Sequence, residues 1–294
     1  HHRFQNFGSG CLNRDKQVIT YLSQYMMVDP IQIKEEQKRL GFTPELYINE
    51  KALVTTPFHV YDNQSDPKSQ GGSCGMGIGS TKKYWLQYGN DAIFASDLII
   101  GNRSILIDKL HLLKERMLVK LQHRNFDRNI YWYLPLKQLI NEKLHLRPSC
   151  IREGLHAIPY IHKSDIIFES SQGMLLDEWW GDYPYNTWSS VGWCNVAEII
   201  KELPTYMYTY VNFDLTLIGV TRSYLTRHGK GSFETGKENI DNPYELNSTG
   251  TYQGKFKTKL LNKWLLEYSW NTLNCEIENS NIKPEKEMHV TCLD

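Results

Sequence analysis

The chain has 294 residues, 40% of them apolar and 22% charged, with 33 basic and 33 acidic side chains and a formal net charge of zero. That length fits one large domain or two modest ones, and the apolar share is enough for a sizeable core. A zero balance argues against a general nucleic-acid binder, which needs a basic excess, but not against a small anionic substrate, which needs only local charge.

No apolar run reaches membrane-spanning length and no signal peptide opens the chain, so a cytoplasmic protein away from the membrane is expected. Cys11, Cys74, Cys150, Cys194, Cys275 and Cys292 form no C-x-x-C pair and read as reduced thiols. The sequons at Asn63, Asn102 and Asn247 then carry little weight.

His1-His2 reads either as a tag remnant or as native sequence, and Phe4 to Gly10 as part of a strand–turn unit. Gln17 to Val28 is apolar and β-like. Asp29-Pro30 opens a helix: Asp29 caps it, Pro30 suits its first position and Gly41 stops it. Tyr47 to Asn49 and Ala52 to Thr56 read as strands, and Pro57-Phe58-His59 ends the second. On its own, His59 is more often a satisfied structural histidine than a catalytic one. Asn63 to Ser73 is a polar loop. It leads into Gly71-Gly72-Ser73-Cys74-Gly75-Met76-Gly77-Ile78-Gly79, whose glycines allow positive φ and close backbone approach. Successive N–H groups in such a loop can cradle an anion, although Lys82 and Lys83 stand at the wrong spacing for a Walker loop.

Ser104 to Gln122 and Tyr131 to Leu144 have helical spacing and a packing role. Asp165 to Phe168 reads as a short buried strand that turns polar at Glu169-Ser170-Ser171-Gln172-Gly173, and the C-terminal end of a strand is where α/β sheets bind ligands. Gln172 can both donate to and accept from a purine edge or a phosphate, and Gly173 lets a ligand approach the backbone. Trp179 and Trp180 should pack on something. Asn195 to Glu202 is helical. Leu215 to Val220 reads as a buried strand that delivers Arg227 and His228 to a glycine-flanked turn, where Arg can grip phosphate or carboxylate. A solvated basic turn is the equally available alternative. Asn247 to Lys257 is a polar loop before a helix from Leu260 to Leu273, and Met288 onward is a strand.

Several of these stretches resemble one family. Ile167 to Asp177 with Tyr183 to Thr187 is similar to the F-E-G-A-Q-G-x-L-L-D…Y-P-Y-x-T signature of adenylosuccinate synthetases, with Ser170 and Ser171 in place of Gly and Ala. Pro57-Phe58-His59 matches P-Y-H. The glycine-rich stretch resembles T-T-G-R-G-I-G, with Ser73 and Cys74 for the threonines and Met76 for the arginine. Arg222 to Phe233 resembles K-A-Y-x-T-R-V-G-x-G-P-F. Thr249-Gly250 fits T-T-G-R, with Thr251 at the arginine. Thr291 to Asp294 resembles T-K-L-D, with Cys292 for the lysine.

The resemblance implies an α/β fold with a central, mostly parallel sheet flanked by helices. This is the P-loop-NTPase-like fold of that family, incomplete here and spanning 1–294 as a single domain. It implies a ligase that joins aspartate to C6 of IMP with hydrolysis of GTP and Mg²⁺ as cofactor. Its partners would be IMP, GTP and L-aspartate, with no nucleic acid and no membrane. Ser73, Cys74, Gly75, Gln172, Gly173, Thr187 and Arg227 would bind the substrate nucleotide. Thr249, Gly250, Lys255 and Lys257 would serve aspartate, Lys lacking the planar fork of Arg, and Asp294 the base of GTP. The family's catalytic Asp and His, its phosphate loop and most Mg²⁺ ligands are expected upstream of His1, which makes the chain an inactive core of a longer ligase. The family's dimer-crossing arginine has no match near Gln87 and Tyr88, so a homodimer is only weakly implied. Two alternatives stay open: a sister ligase that uses dGMP or ATP, and a non-catalytic nucleotide-binding relic.

Overall fold

The computed structural model describes residues 4–67, 72–98, 103–121, 150–159, 161, 164–203, 214–231, 240, 242, 245, 247 and 251–292. The expected helix over 131–144, Thr249, Gly250 and Asp294 lie outside these residues. The chain forms two compact units, one of His1–Ser65 with Met76–Glu169 and one of Asp66–Gly75 with Ser170–Asp294.

In the first unit, β1 (Ile19–Leu22), β3 (Glu45–Asn49) and β5 (Ile151–Arg152) form a parallel sheet in that order, and β2 (Met27–Val28) pairs in parallel with β4 (Leu53–Val54). Helix α1 (Pro30–Leu40) begins and ends where its caps require. The Asp29 carboxylate accepts from the N–H groups of Ile31 and Gln32 at 2.9 and 3.2 Å, and Gly41 takes the left-handed conformation at φ 73°. On α1 Ile33 is buried, as an apolar residue on the core face should be, and Glu36 is fully buried as well. Its carboxylate accepts from Gln5 N–H at 2.9 Å and Asn6 N–H at 2.8 Å. Phe4 to Gly10 therefore runs as a pinned, non-strand segment that inserts Phe7 into the core, rather than as the expected strand.

Pro57 starts a helix, α2 (Pro57–Ser65), where a strand end was expected; Pro at a first helical position is the available signal. Helix α3 (Ile78–Tyr88) follows the glycine-rich stretch. Helix α4 (Arg103–Leu121) buries Leu110, Leu113, Met117 and Leu121, a stripe at helical spacing. Its basic residues do more than face water. Lys109 pairs with Asp97 at 2.7 Å, Arg116 with Asp91 at 2.7 Å and Lys120 with Asp62 at 2.6 Å.

The second unit holds α5 (Trp193–Lys201), β6 (Thr216–Arg222), β7 (Tyr224–His228), β8 (Phe256–Leu260), α6 (Lys263–Glu278) and β9 (Glu285–Thr291). Strands β6 and β9 pair in parallel over seven positions, and β7 and β8 pair antiparallel. The core of this unit brings Trp193, Ala197 and Ile277 together with Leu215, Leu217 and Leu273. The overall class is thus α/β, with parallel pairing in three of the four sheets among the described residues.

Three further expectations fail. Asp165 to Phe168 forms no strand, and Ile167 is 85% exposed. Three apolar residues after Asp165 carry too little pattern to specify pairing, and no described strand lies alongside. The strand over Leu215 to Val220 forms but is not buried, with Val220 69% exposed. Only the face bearing Leu215 and Leu217 is covered, because a ladder needs one partner whereas burial needs a layer on each side. Lys257 lies in strand β8 rather than in a loop.

His59 is buried beside Tyr84, with ring centroids 5.6 Å apart. Its Nδ1 accepts from Thr56 N–H at 3.1 Å, which places the neutral ring's proton on Nε2, and Nε2 has no hydrogen-bond partner among the described residues. Burial lowers the pKa from the ordinary 6.5 to about 3.

Asp29→Ala removes both cap bonds and should cost about 1 kcal/mol, read as a lower Tm in thermal unfolding. His59 stays neutral in the folded state while the unfolded chain takes up its proton. Its share of stability is therefore full above pH 6.5 and is lost as pH falls toward 3, at about 1.4 kcal/mol per unit. Urea titrations between pH 7 and pH 4 should show this slope flattened in His59→Asn; equal slopes would refute the assignment.

Candidate functional site

Residues 170–191 form a turn-rich segment whose shape depends on one side chain. The Asp177 carboxylate is fully buried. One oxygen accepts from Trp179 N–H at 2.8 Å and Trp180 N–H at 3.1 Å, and the other from Val191 N–H at 2.7 Å. An Asp that bonds main-chain N–H groups two and three positions on is a local turn former. The bond to Val191 then closes the segment into a loop. Thr187 is held inside it by its own N–H, which donates to Leu176 O at 2.7 Å. At the loop's entrance, Ser170 Oγ lies 2.9 Å from Gln172 O and 2.7 Å from Val191 O. Gln172 and Gly173 are exposed at the tip. The hydroxyl of Ser170 is therefore a structural tie rather than a bare polar group.

The tryptophans behave differently from one another. Trp180 packs, its Nε1 donating to Glu276 at 2.8 Å and its carbonyl accepting from Tyr268 Oη at 2.8 Å. Trp179 is 78% exposed, against the expectation that both would be covered. The turn around Asp177 points successive residues to opposite sides, so one indole faces the unit and the other faces away.

Arg227 closes the same region from strand β7. Its Nη2 donates to Tyr185 O at 2.9 Å and its Nε to Lys230 O at 2.7 Å. The guanidinium lies over Gly231, where any Cβ would strike it. Across the β7–β8 ladder, Lys257 is the direct partner of Arg227, and Lys255 O accepts from Gly229 N–H at 3.0 Å. Two cations sit opposite each other on one pair of strands, an arrangement that disfavours the ladder unless an anion is near. Next to them, Arg222 and Glu245 pair at 2.5 Å. Partial burial works to raise the Glu245 carboxyl, but the Asn247 and Arg222 bonds outweigh it and hold it below the usual range.

The glycine-rich stretch contributes Ser73, Cys74 and Gly75 to this same unit. Gly75 has φ 73°, and its N–H donates to Ser73 Oγ at 3.2 Å. Cys74 is an exposed thiol. Ser73, Cys74, Gly75, Gln172, Gly173, Thr187, Arg227, Lys255 and Lys257 thus all fall in one compact unit. Among the described residues, no group of three His, Cys, Asp or Glu side chains converges to hold a metal ion, and no helix is long and apolar enough to cross a membrane.

The sequence model of the family described as adenylosuccinate synthetase matches residues 1–259. The chain belongs to the adenylosuccinate synthetase family. Among curated adenylosuccinate synthetases, that of Microcystis aeruginosa is 30% identical over 248 residues, covering 78% of this chain and 51% of the relative. That of Aquifex aeolicus is 29% identical over 205 residues, covering 68% and 44%. The chain spans about half the length of the curated relatives it matches. Among solved structures, the succinoaminodeoxyadenylate synthetase of cyanophage S-2L, bound to dGMP and to dATP as an energy donor, aligns with a TM-score of 0.53 at 15% identity. The alignment covers 98% of this chain and 77% of that one. That likeness establishes the fold.

Within this adenylosuccinate synthetase frame, sequence reading missed Asp177 as the organising residue of the segment and Tyr185 as the main-chain partner of Arg227. The signal for Asp177 was present as an acid placed two and three positions before the Trp179 and Trp180 amides. Tyr185 gave none, because its contact uses a carbonyl that every residue carries.

Asp177→Ala leaves three N–H groups without their acceptor and should destabilise the protein by about 3 kcal/mol or more, with Asp177→Asn intermediate. Chemical denaturation of the two variants checks this; a loss under ~1 kcal/mol for the alanine variant would contradict the anchoring role.

Proposed function

We propose that the chain is the substrate-nucleotide core of an adenylosuccinate synthetase, a carbon–nitrogen ligase of purine nucleotide (AMP) biosynthesis. In this reading N1 of IMP gives up its proton to a base as O6 attacks the γ-phosphorus of GTP, and GDP leaves. The amine of L-aspartate then adds at C6, the O6 phosphate leaves, and the nitrogen loses a proton to give adenylosuccinate. Phosphorylation turns a poor leaving oxygen into a good one, and positioning does most of the remaining work. The observation that supports the reading is the family match over 1–259, together with the position in one compact unit of the residues that the resemblance assigns to the nucleotide.

Under this reading Ser73, Cys74, Gly75, Thr187 and Arg227 hold the anionic part of IMP, and Gln172 with Gly173 approaches its base. Lys255 and Lys257, with Thr249 and Gly250, receive the carboxylates of aspartate, and Asp294 the guanine of GTP. Mg²⁺ accompanies the GTP in the proposed reaction; no ligand for it is assigned in this chain, since the described residues offer no cluster that fits it. A cytoplasmic setting and a homodimer go with the same reading.

A second reading is favoured by particular residues. The exposed thiol of Cys74 stands where the resemblance places a hydroxyl, and a thiol is the weaker donor. Cys292, in place of a lysine, has φ 57°, with its carbonyl accepting from Ser223 Oγ. A sister ligase acting on dGMP, or drawing on ATP, accommodates both departures, and the cyanophage enzyme of similar fold is one bound to dGMP and dATP.

Calorimetry with IMP and with dGMP separates the readings. IMP binding that weakens about tenfold or more in Thr187→Ala and in Arg227→Ala supports the first, since a bond to a charged group is worth ~1.5–3 kcal/mol. Preference for dGMP supports the second. Adenylosuccinate formation from IMP, GTP, Mg²⁺ and aspartate, with the protein expressed from its full coding sequence, tests the reaction itself. Absence of binding to either nucleotide by the folded protein would overturn both.

A further inference from the structure

Helix α6 sends two stripes in different directions. Trp270, Leu273 and Ile277 turn inward: the Trp270 ring lies against Gly219, and Leu273 and Ile277 belong to the core. Trp264, Glu267, Tyr268, Asn271 and Thr272, spaced three and four apart, line a cleft of about 320 Å³ together with Trp180. That volume suits a small ligand. The rings are fixed before anything binds. Tyr268 Oη donates to Trp180 O, and Trp180 Nε1 to Glu276, each at 2.8 Å. The other Glu276 oxygen accepts from Cys194 N–H at 3.1 Å. Trp264 stacks on Tyr268 with ring centroids 5.8 Å apart, yet stays 65% exposed.

We propose that this cleft binds a small quaternary ammonium cation of the choline class. Aromatic faces attract cations, tryptophan most strongly. Elsewhere such faces carry the protein's own cations: Arg14 over Phe42 at 4.0 Å, Arg116 over Tyr88 at 4.0 Å and Arg152 over Tyr47 at 4.6 Å. Among the described residues no Lys or Arg lies over Trp180, Trp264 or Tyr268. Of the described residues that line the cleft, Glu267 is acidic and none is basic. Lys263 lies 3.5 Å from Glu267 with both side chains in solvent, a pair too weakly held to keep another cation out. A phosphate or carboxylate ligand would find no cation on these walls. A primary ammonium ion would trade its water for ring faces that accept hydrogen bonds poorly. A quaternary head has no N–H to satisfy and so loses least. Thr272 Oγ1 is spent on Ser269 O at 2.8 Å, whereas the exposed Asn271 amide is placed for a polar tail.

Ligand-observed NMR titration of the full chain tests this with two probes. One is choline; the other is its neutral carbon isostere, in which a tert-butyl group replaces the trimethylammonium. Wild type, Trp264→Leu and Glu267→Gln are compared; both positions are exposed, so the variants keep the fold, which circular dichroism checks. Choline should bind wild type saturably and about tenfold or more tightly than the isostere, since rings and carboxylate both act on its charge. Trp264→Leu should weaken choline binding about fivefold and Glu267→Gln about threefold. Equal binding of choline and the isostere would reveal an apolar groove and overturn the cation assignment. Binding unchanged in Trp264→Leu would overturn the site, and no saturation by choline up to about 50 mM would overturn the proposal outright. A trimethyllysine peptide that binds more than about tenfold tighter than choline would overturn the assignment to a free small cation.

Discussion

A carboxylate taken out of water must be met by donors, and this requirement shapes the region that carries most of the candidate site. Asp177 has no solvent contact, so its charge is tolerable only where N–H groups converge on it. Trp179, Trp180 and Val191 supply them, and in doing so they define the path of the chain between Gln172 and Val191. Thr187 hangs from that path through Leu176, and Ser170 ties its two ends. Glu36 plays the same part in the other unit, where its buried carboxylate gathers the amides of Gln5 and Asn6 and draws Phe7 into the core. In both units a buried acid organises a stretch of backbone that has no ladder of its own.

The electrostatics of β7 and β8 point the same way as the chemistry proposed for them. Arg227 and Lys257 are direct cross-strand neighbours, and like charges in that position work against the strand pair. The pair nevertheless forms, and the adjoining Arg222–Glu245 pair, with Tyr224 and Asn247 on the same carboxylate, holds the neighbouring backbone. The anionic substrates proposed for this ribbon would need only such local charge in a protein whose overall charge is zero. Family membership accounts for the recurrence of these motifs in this order. The departures at Cys74, Thr251 and Cys292 are where this chain's own specificity is to be sought.

Much of the architecture was legible in the residues. Asp29-Pro30 and Gly41 bound α1 to the residue, because capping is a local matter of one side chain and one backbone angle. The leucine and methionine stripe of α4 and the positive φ of Gly75 and Gly77 followed from spacing and from the absence of a side chain. Asp165 to Phe168 misled because a short apolar run has the same composition whether or not a neighbouring strand is there to pair with it. Trp179 misled because a turn, rather than hydrophobicity, decides which of two adjacent indoles faces inward.

The sequence by itself determined the limits of α1, the glycine turns, the residue types that the resemblance assigns to an anionic substrate and the family to which they belong. Tertiary structure alone decided which polar groups are spent on structure and which face outward. It turned Ser170 and Asp177 into ties, set Lys257 opposite Arg227 and laid Tyr252 on Gly75. Each of those outcomes joins residues far apart in the chain through distances of a few ångströms. Local propensity acts within a turn or two of helix or strand, and so has no means to specify them.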